Sequence, residues 1–140
     1  MSAITVSQAL VRLRTLAASG ELAEICRGHD VEIVTLFGSA ALPEGSGLAR
    51  DIDVAVGFVP GASRDFLAVV NALLDAVPGD HLDVMDLDRA GPPAQRAALF
   101  GSQILFESSG AVSAERQMKA FIAYEDTRWL RDLQLECLRS

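Results

Sequence analysis

The chain has 140 residues, half of them apolar and 22% charged, with a formal net charge of −7. That length and apolar content give one domain with its own hydrophobic core and exclude a largely disordered chain. An acidic chain repels a polyanion at long range, which excludes a nucleic-acid polymer as partner and suits a basic protein or a metal-masked anionic substrate.

No apolar run reaches the roughly 20 residues that a bilayer span needs. The N-terminal stretch MSAITVSQALVRLRTLAAS carries Arg12 and Arg14 inside an amphipathic pattern, unlike a secretory signal. A cytoplasmic protein without a membrane segment is expected. Cys26 and Cys137 have no Cys or His at ligand spacing and read as buried or idle thiols.

In chain order, Val6, Leu10, Leu13 and Ala17 recur at helical spacing and predict a helix over 5–18, closed by Ser19-Gly20. A short helix is expected over 21–27. VEIVTLF, residues 31–37, is β-branched and apolar and predicts a strand ended by Gly38-Ser39, with a short helical turn before Pro43. PEGSG reads as a loop, in which Glu44 and Ser46 sit where a lid would be. DIDVAVGF alternates, with Ile52, Val54 and Val56 on one face and Asp51, Asp53 and Ala55 on the other.

After Pro60-Gly61, a helix is expected from a Ser63 cap to about residue 76, with Phe66, Leu67, Val70, Leu73 and Leu74 inward. HLDVMDL predicts a third strand, placing His81, Asp83 and Met85 on one face and Leu82, Val84 and Asp86 on the other. Pro92-Pro93 opens a helix to about residue 100, QILFE a short strand, and residues 114–138 one long terminal helix. Met118, Phe121, Ile122, Leu130, Leu133 and Cys137 recur along that helix at helical spacing. Its Tyr124 and Trp129 are expected to pack in the core, with a partner-binding patch as the alternative. The order gives an α/β sandwich with one mostly helical face, in a single domain: helices over 1–30, a sheet over 31–107 and the terminal helix over 110–140.

A strand that only had to pack would not carry Asp51 and Asp53. Period two sets both carboxylates on one face, about 7 Å apart at Cα. Asp83 on the next strand joins them if the strands pair. Three clustered carboxylates raise one another's pKa unless a cation sits among them, and an all-oxygen set prefers a hard divalent ion, most naturally Mg²⁺, as one or two ions. Such a site would orient a nucleotide triphosphate and an attacking hydroxyl. Gly38-Ser39 after a buried strand offers backbone N–H groups and a hydroxyl to phosphate oxygens. His81 lies one pleat from Asp83 but reads as a surface residue, and Asp86 has the wrong parity for the cluster.

At these residues the chain resembles a known family. LFGSAALPEGSGLARDIDVAV followed by LDVMDL is similar to the minimal nucleotidyltransferase (MNT) domain of the DNA polymerase β-like superfamily. The resemblance implies a nucleotidyltransferase fold, with a small mixed sheet and helices mainly on one face. By position, Gly38 and Ser39 would hold the triphosphate, and Asp51, Asp53 and Asp83 would be the catalytic metal ligands, with Asp83 helping to activate the acceptor. ATP would be the substrate, and AMP would pass to a hydroxyl of a HEPN-domain toxin, making the chain an antitoxin and part of a homo- or hetero-oligomer. The alternatives are a non-catalytic antitoxin that neutralises by binding, and transfer to a small molecule such as an aminoglycoside. The chain departs from the family pattern GSxARG at Leu42 and Pro43, has eleven residues between Ser39 and Asp51 where ten is usual, and carries Arg50 where Ser is common. Arg50 is the expected substitute cation on the nucleotide, with a salt bridge to a nearby acid as the alternative.

Overall fold

The computed structural model describes residues 4–42 and 51–139. Residues 43–50, and with them Arg50, Pro43, Glu44 and Ser46, lie outside the described residues.

Thr5 opens the first helix, α1 (Val6–Ser19), with a capping box: its Oγ1 accepts from Gln8 N, and Gln8 Oε1 accepts from Thr5 N. Gly20, at φ 90°, ends α1 and starts α2 (Glu21–Gly28). Strand β1 (Val31–Phe37) follows, then a single 3-10 turn (Ser39–Ala41), then β2 (Ile52–Phe58). Helix α3 (Phe66–Ala76) starts later than Ser63 predicts, because Asp65 caps it by accepting from Ala68 N. Its inward face is Val69 and Leu73, with Phe66 partly buried, while Leu67 is 69% exposed. The remaining elements are β3 (Leu82–Asp86), α4 (Pro92–Leu99), β4 (Gln103–Glu107), α5 (Val112–Asp126) and α6 (Arg128–Arg139).

The strands form one mixed sheet in the order β3-β2-β1-β4. β1 runs antiparallel to both β2 and β4, and β2 runs parallel to β3. The larger core joins Val34, Leu36, Ile52, Val54 and Val56 to Leu10, Leu13 and Leu16 of α1, Leu22 of α2, and Val69 and Leu73 of α3. Parity sends Ile33 and Ala55 to the opposite face, where Leu87, Ala98, Leu99, Val112 and Ala120 cover them. Three helices therefore pack on one face, and α4 and α5 cover part of the other. Buried Thr35 is satisfied on that second side by donating to Ala98 O at 2.8 Å.

Arg116 fastens α5 to the sheet. Its side chain is 16% exposed and donates to Glu32 at the start of β1, to Asp88 beyond β3, and to Phe58 O at the end of β2, all within 3.0 Å. The guanidinium lies over Gly57, where a Cβ would come 2.7 Å from Arg116 Cζ.

The long C-terminal helical stretch is interrupted at Thr127, whose Oγ1 donates back to Ala123 O and accepts from Arg131. The guanidinium groups of Arg96 and Arg131 lie over the Tyr124 ring, at 4.3 and 3.5 Å from its centre. The apolar spacing foreseen along this stretch is present, but the chain does not cover it. Met118, Phe121, Ile122, Trp129, Leu130 and Leu133 are exposed, and α6 buries none of its described residues. The core packing expected of Trp129 is thus corrected: its indole is 66% exposed.

Cys26 is buried as expected, which pushes its thiol up to about 12, whereas Cys137 is exposed. Among the described residues, no helix is long and apolar enough to cross a membrane.

Candidate active site

The site forms where β1 ends and β2 begins. Beyond Phe37 the chain turns at Gly38 with φ 73° and ψ −159°, a conformation that in practice only glycine adopts. The 3-10 turn closes through Ala41 N donating to Gly38 O and Leu42 N to Ser39 O. Gly38 and Ser39 are exposed, and Ala40 and Ala41 are buried. A small pair inside and an exposed Gly-Ser outside turn the backbone of residues 38 and 39 toward solvent.

Register delivers the carboxylates. Antiparallel pairing sets Phe37 opposite Asp53, and parallel pairing sets Asp53 opposite Asp83. Ile52 N donates to His81 O at 2.7 Å and holds the two strand starts together. Asp51 precedes β2 by one residue on the parity of Asp53. The Asp53 side chain lies against the turn: a Cβ on residue 38 would sit 2.5 Å from Asp53 Oδ2. Ala55 shares this parity and is buried under α4 and α5, so the helices cover the middle of this face and leave the Asp53 end uncovered by the second core.

The electrostatics follow from that crowding. Burial raises the Asp53 carboxyl above its ordinary range, and the negative charges of Asp83 and then Asp51 raise it further. Asp51 and Asp83 are exposed. The three side chains are not drawn into a closed metal-ligating set; among the described residues no such group of His, Cys, Asp or Glu exists. Their donor chemistry nevertheless fits a hard divalent cation, since a cation is what would remove the repulsion that Asp53 carries.

The structure thus brings together Gly38, Ser39, Asp51, Asp53 and Asp83. His81 stands apart, donating through Nε2 to Ile4 O at 2.9 Å. Asp86 points to the other side, accepting from Asp88 N and pairing with Arg89. A cleft of about 650 Å³ lies at the opposite end of β2, walled by Phe58, Arg64, Asp88 and Arg116, and is not the carboxylate site. One neighbour of the turn had no signal in the sequence. Gln103, at the head of β4, donates to Ala41 O. A Gln opening a strand is ordinary, and only the β1–β4 pairing reveals its contact.

No family model matches the sequence, and no curated protein matches it. Solved structures do. A variant of the MntA–HpeT toxin–antitoxin complex, carrying two Asp-to-Glu changes two positions apart, matches with a TM-score of 0.69 and 17% identity over 86% of this chain and 98% of that one. A toxin–antitoxin structure with AMP-PNP matches at 0.67 and 18%, over 86% and 98%. The complex of a tri-AMPylated Shewanella oneidensis HEPN toxin with its MNT antitoxin matches at 0.67 and 17%, over 91% and 99%. The chain therefore has the fold of these toxin–antitoxin chains along nearly their whole length, and the nucleotidyltransferase fold expected from Gly38-Ser39 and Asp51-x-Asp53 is the fold it adopts.

Proposed function

We propose that this chain is an MNT-type nucleotidyltransferase that moves AMP from ATP to a hydroxyl of a HEPN-domain toxin and so acts as its antitoxin. The observation that carries the reading is the packing of Asp53 against Gly38 with Asp83 in register beside it. That sets a turn with the chemistry to take phosphate oxygens next to carboxylates with the chemistry to take a cation, which supports reading the two as halves of a triphosphate site. The neighbours support it: one of those structures holds AMP-PNP, and another holds a tri-AMPylated HEPN toxin.

Asp51, Asp53 and Asp83 would hold Mg²⁺. When bound, the ion supplies positive charge at the α-phosphate and the acceptor oxygen. The Gly38 backbone and Ser39 hydroxyl bind the β- and γ-phosphates and fix the nucleotide for in-line attack. Asp83, exposed at the open edge of the cluster, takes the proton as the acceptor oxygen bonds to the α-phosphorus and pyrophosphate leaves. Arg50 would add a cation on the phosphates.

The test is label transfer from ATP to the toxin in the presence of Mg²⁺. Transfer is expected with the wild type, and a loss of at least about 100-fold with Asp51→Ala plus Asp53→Ala. A second reading, neutralisation by binding alone, is favoured by the exposed apolar stripe on α5 and α6. Toxin neutralised equally well by the double variant establishes that reading and overturns the catalytic one.

A further inference from the structure

The Gly38–Ala41 turn is anchored by one side chain from β4. Gln103 stands opposite Leu36 in the β1–β4 pairing. Its Nε2 donates to Ala41 O at 2.9 Å, and its Oε1 accepts from Arg14 Nη2 of α1 at 3.2 Å. A guanidinium has donors only, so Arg14 fixes the amide with oxygen toward itself and the NH₂ group toward Ala41. Within the turn, the carbonyls of Gly38 and Ser39 are satisfied by the amides of Ala41 and Leu42, and the Ala41 carbonyl is satisfied by Gln103.

We infer that Gln103, oriented by Arg14, is a positioning residue that sets nucleotide affinity by holding the Gly38-Ser39 turn, without touching the nucleotide. The inference rests on the reading of that turn as the triphosphate site. Among the described residues, the turn is otherwise held by its join to β1, its two internal bonds and the burial of Ala40 and Ala41, and Gln103 supplies the side-chain hydrogen bond to its last carbonyl. A displacement of the order of 1 Å at such a site is enough to weaken binding, and saturating ATP should restore the turnover.

Gln103→Glu keeps the length and the partnership with Arg14 but cannot donate to Ala41 when ionised. Gln103→Met keeps the shape with no polar group. For both, the melting temperature is expected within about 3 °C of wild type, with affinity for AMP-PNP and Mg²⁺ by calorimetry about 5–20-fold weaker and kcat at saturating ATP within about threefold. Amide exchange at residues 38–42 should quicken in both variants, a change independent of nucleotide. Affinity within twofold of wild type in both overturns the inference and leaves the proposed function standing. A wild-type chain that binds no nucleotide overturns both together. Should the Gln103 variants unfold, Arg14→Ala, an exposed change, carries the test: about 2–5-fold weaker binding supports the inference and unchanged binding overturns it.

Discussion

The Asp53 carboxylate occupies the space that a side chain on residue 38 would need, so Gly38 is required twice, once by its φ of 73° and once by the 2.5 Å approach of Oδ2 to the missing Cβ. Gly38→Ala should therefore lose roughly 1–3 kcal/mol from backbone strain alone, with the contact adding to it. Thermal unfolding measures the loss. Made in an Asp53→Gly background, Gly38→Ala should lose only the part due to φ, because the contact is already gone. A Gly38→Ala change that costs nothing in that background would show that the backbone conformation costs nothing.

Asp53 also makes stability depend on pH in an unusual direction. Its folded pKa is raised above the ordinary 3.8 by burial, Asp83 and Asp51, so the folded chain holds a proton that the unfolded chain releases. Between 3.8 and the higher folded value, stability contributed by this group falls as pH rises, and the deficit is complete above the folded value. Metal-free Asp53→Asn should melt above wild type at pH 7 and level with it near or below 3.8. Millimolar Mg²⁺ should narrow the gap at pH 7 by stabilising the wild type. Equal melting temperatures at pH 7 without metal would contradict the crowding.

Arg116→Ala should cost about 3–5 kcal/mol, because it leaves Glu32 without its cation and Asp88 with only the longer 3.9 Å contact to Arg64. Gly57→Ala should also destabilise, since its Cβ would meet Arg116 Cζ at 2.7 Å and Ile33 Cγ2 at 2.8 Å. In denaturant unfolding, the double variant should lose less than the sum of the two singles, because one of the two clashes is then gone. Strict additivity would show that Arg116 does not lie on Gly57 in solution.

Trp129→Ala and Leu133→Ala should leave stability within about 0.5 kcal/mol of wild type, as expected of exposed positions. If the stripe docks the toxin, each should weaken that complex by about tenfold or more in calorimetry. Affinity unchanged in both variants would move the docking surface elsewhere.

Much of the site was legible because its causes are local. The β-branched run ending at Phe37 and the alternation from Ile52 to Val56 give the two strands, and period two alone puts Asp51 and Asp53 together. Asp83 needed only the pairing of consecutive strands. What could not be read depends on distant partners. Glu32, Asp88 and Arg116 are each an ordinary surface residue in the sequence, and only the packing of α5 joins them. Apolar spacing from Met118 to Leu133 marks an amphipathic face but does not name what covers it. In α3 the Ser63 signal lost to Asp65, a cap of equal quality two residues on, and packing on the α1-side core set the inward face at Val69 and Leu73.

The ion cluster at Arg116 also dictates an order of assembly. Glu32, Phe58 and Asp88 are all synthesised before Arg116, which reaches them last. Until it does, Glu32 lacks that counterion, Asp88 has only the 3.9 Å contact to Arg64, and the Phe58 carbonyl at the end of the second strand lacks its donor. The core on the α1 side can gather early, while closure of the other face waits for α5. A nascent chain halted before residue 116 would therefore be an unfinished sandwich, with Leu87, Ala98 and Leu99 over Ile33 and Ala55 but with neither Ala120 nor the Arg116 anchor in place.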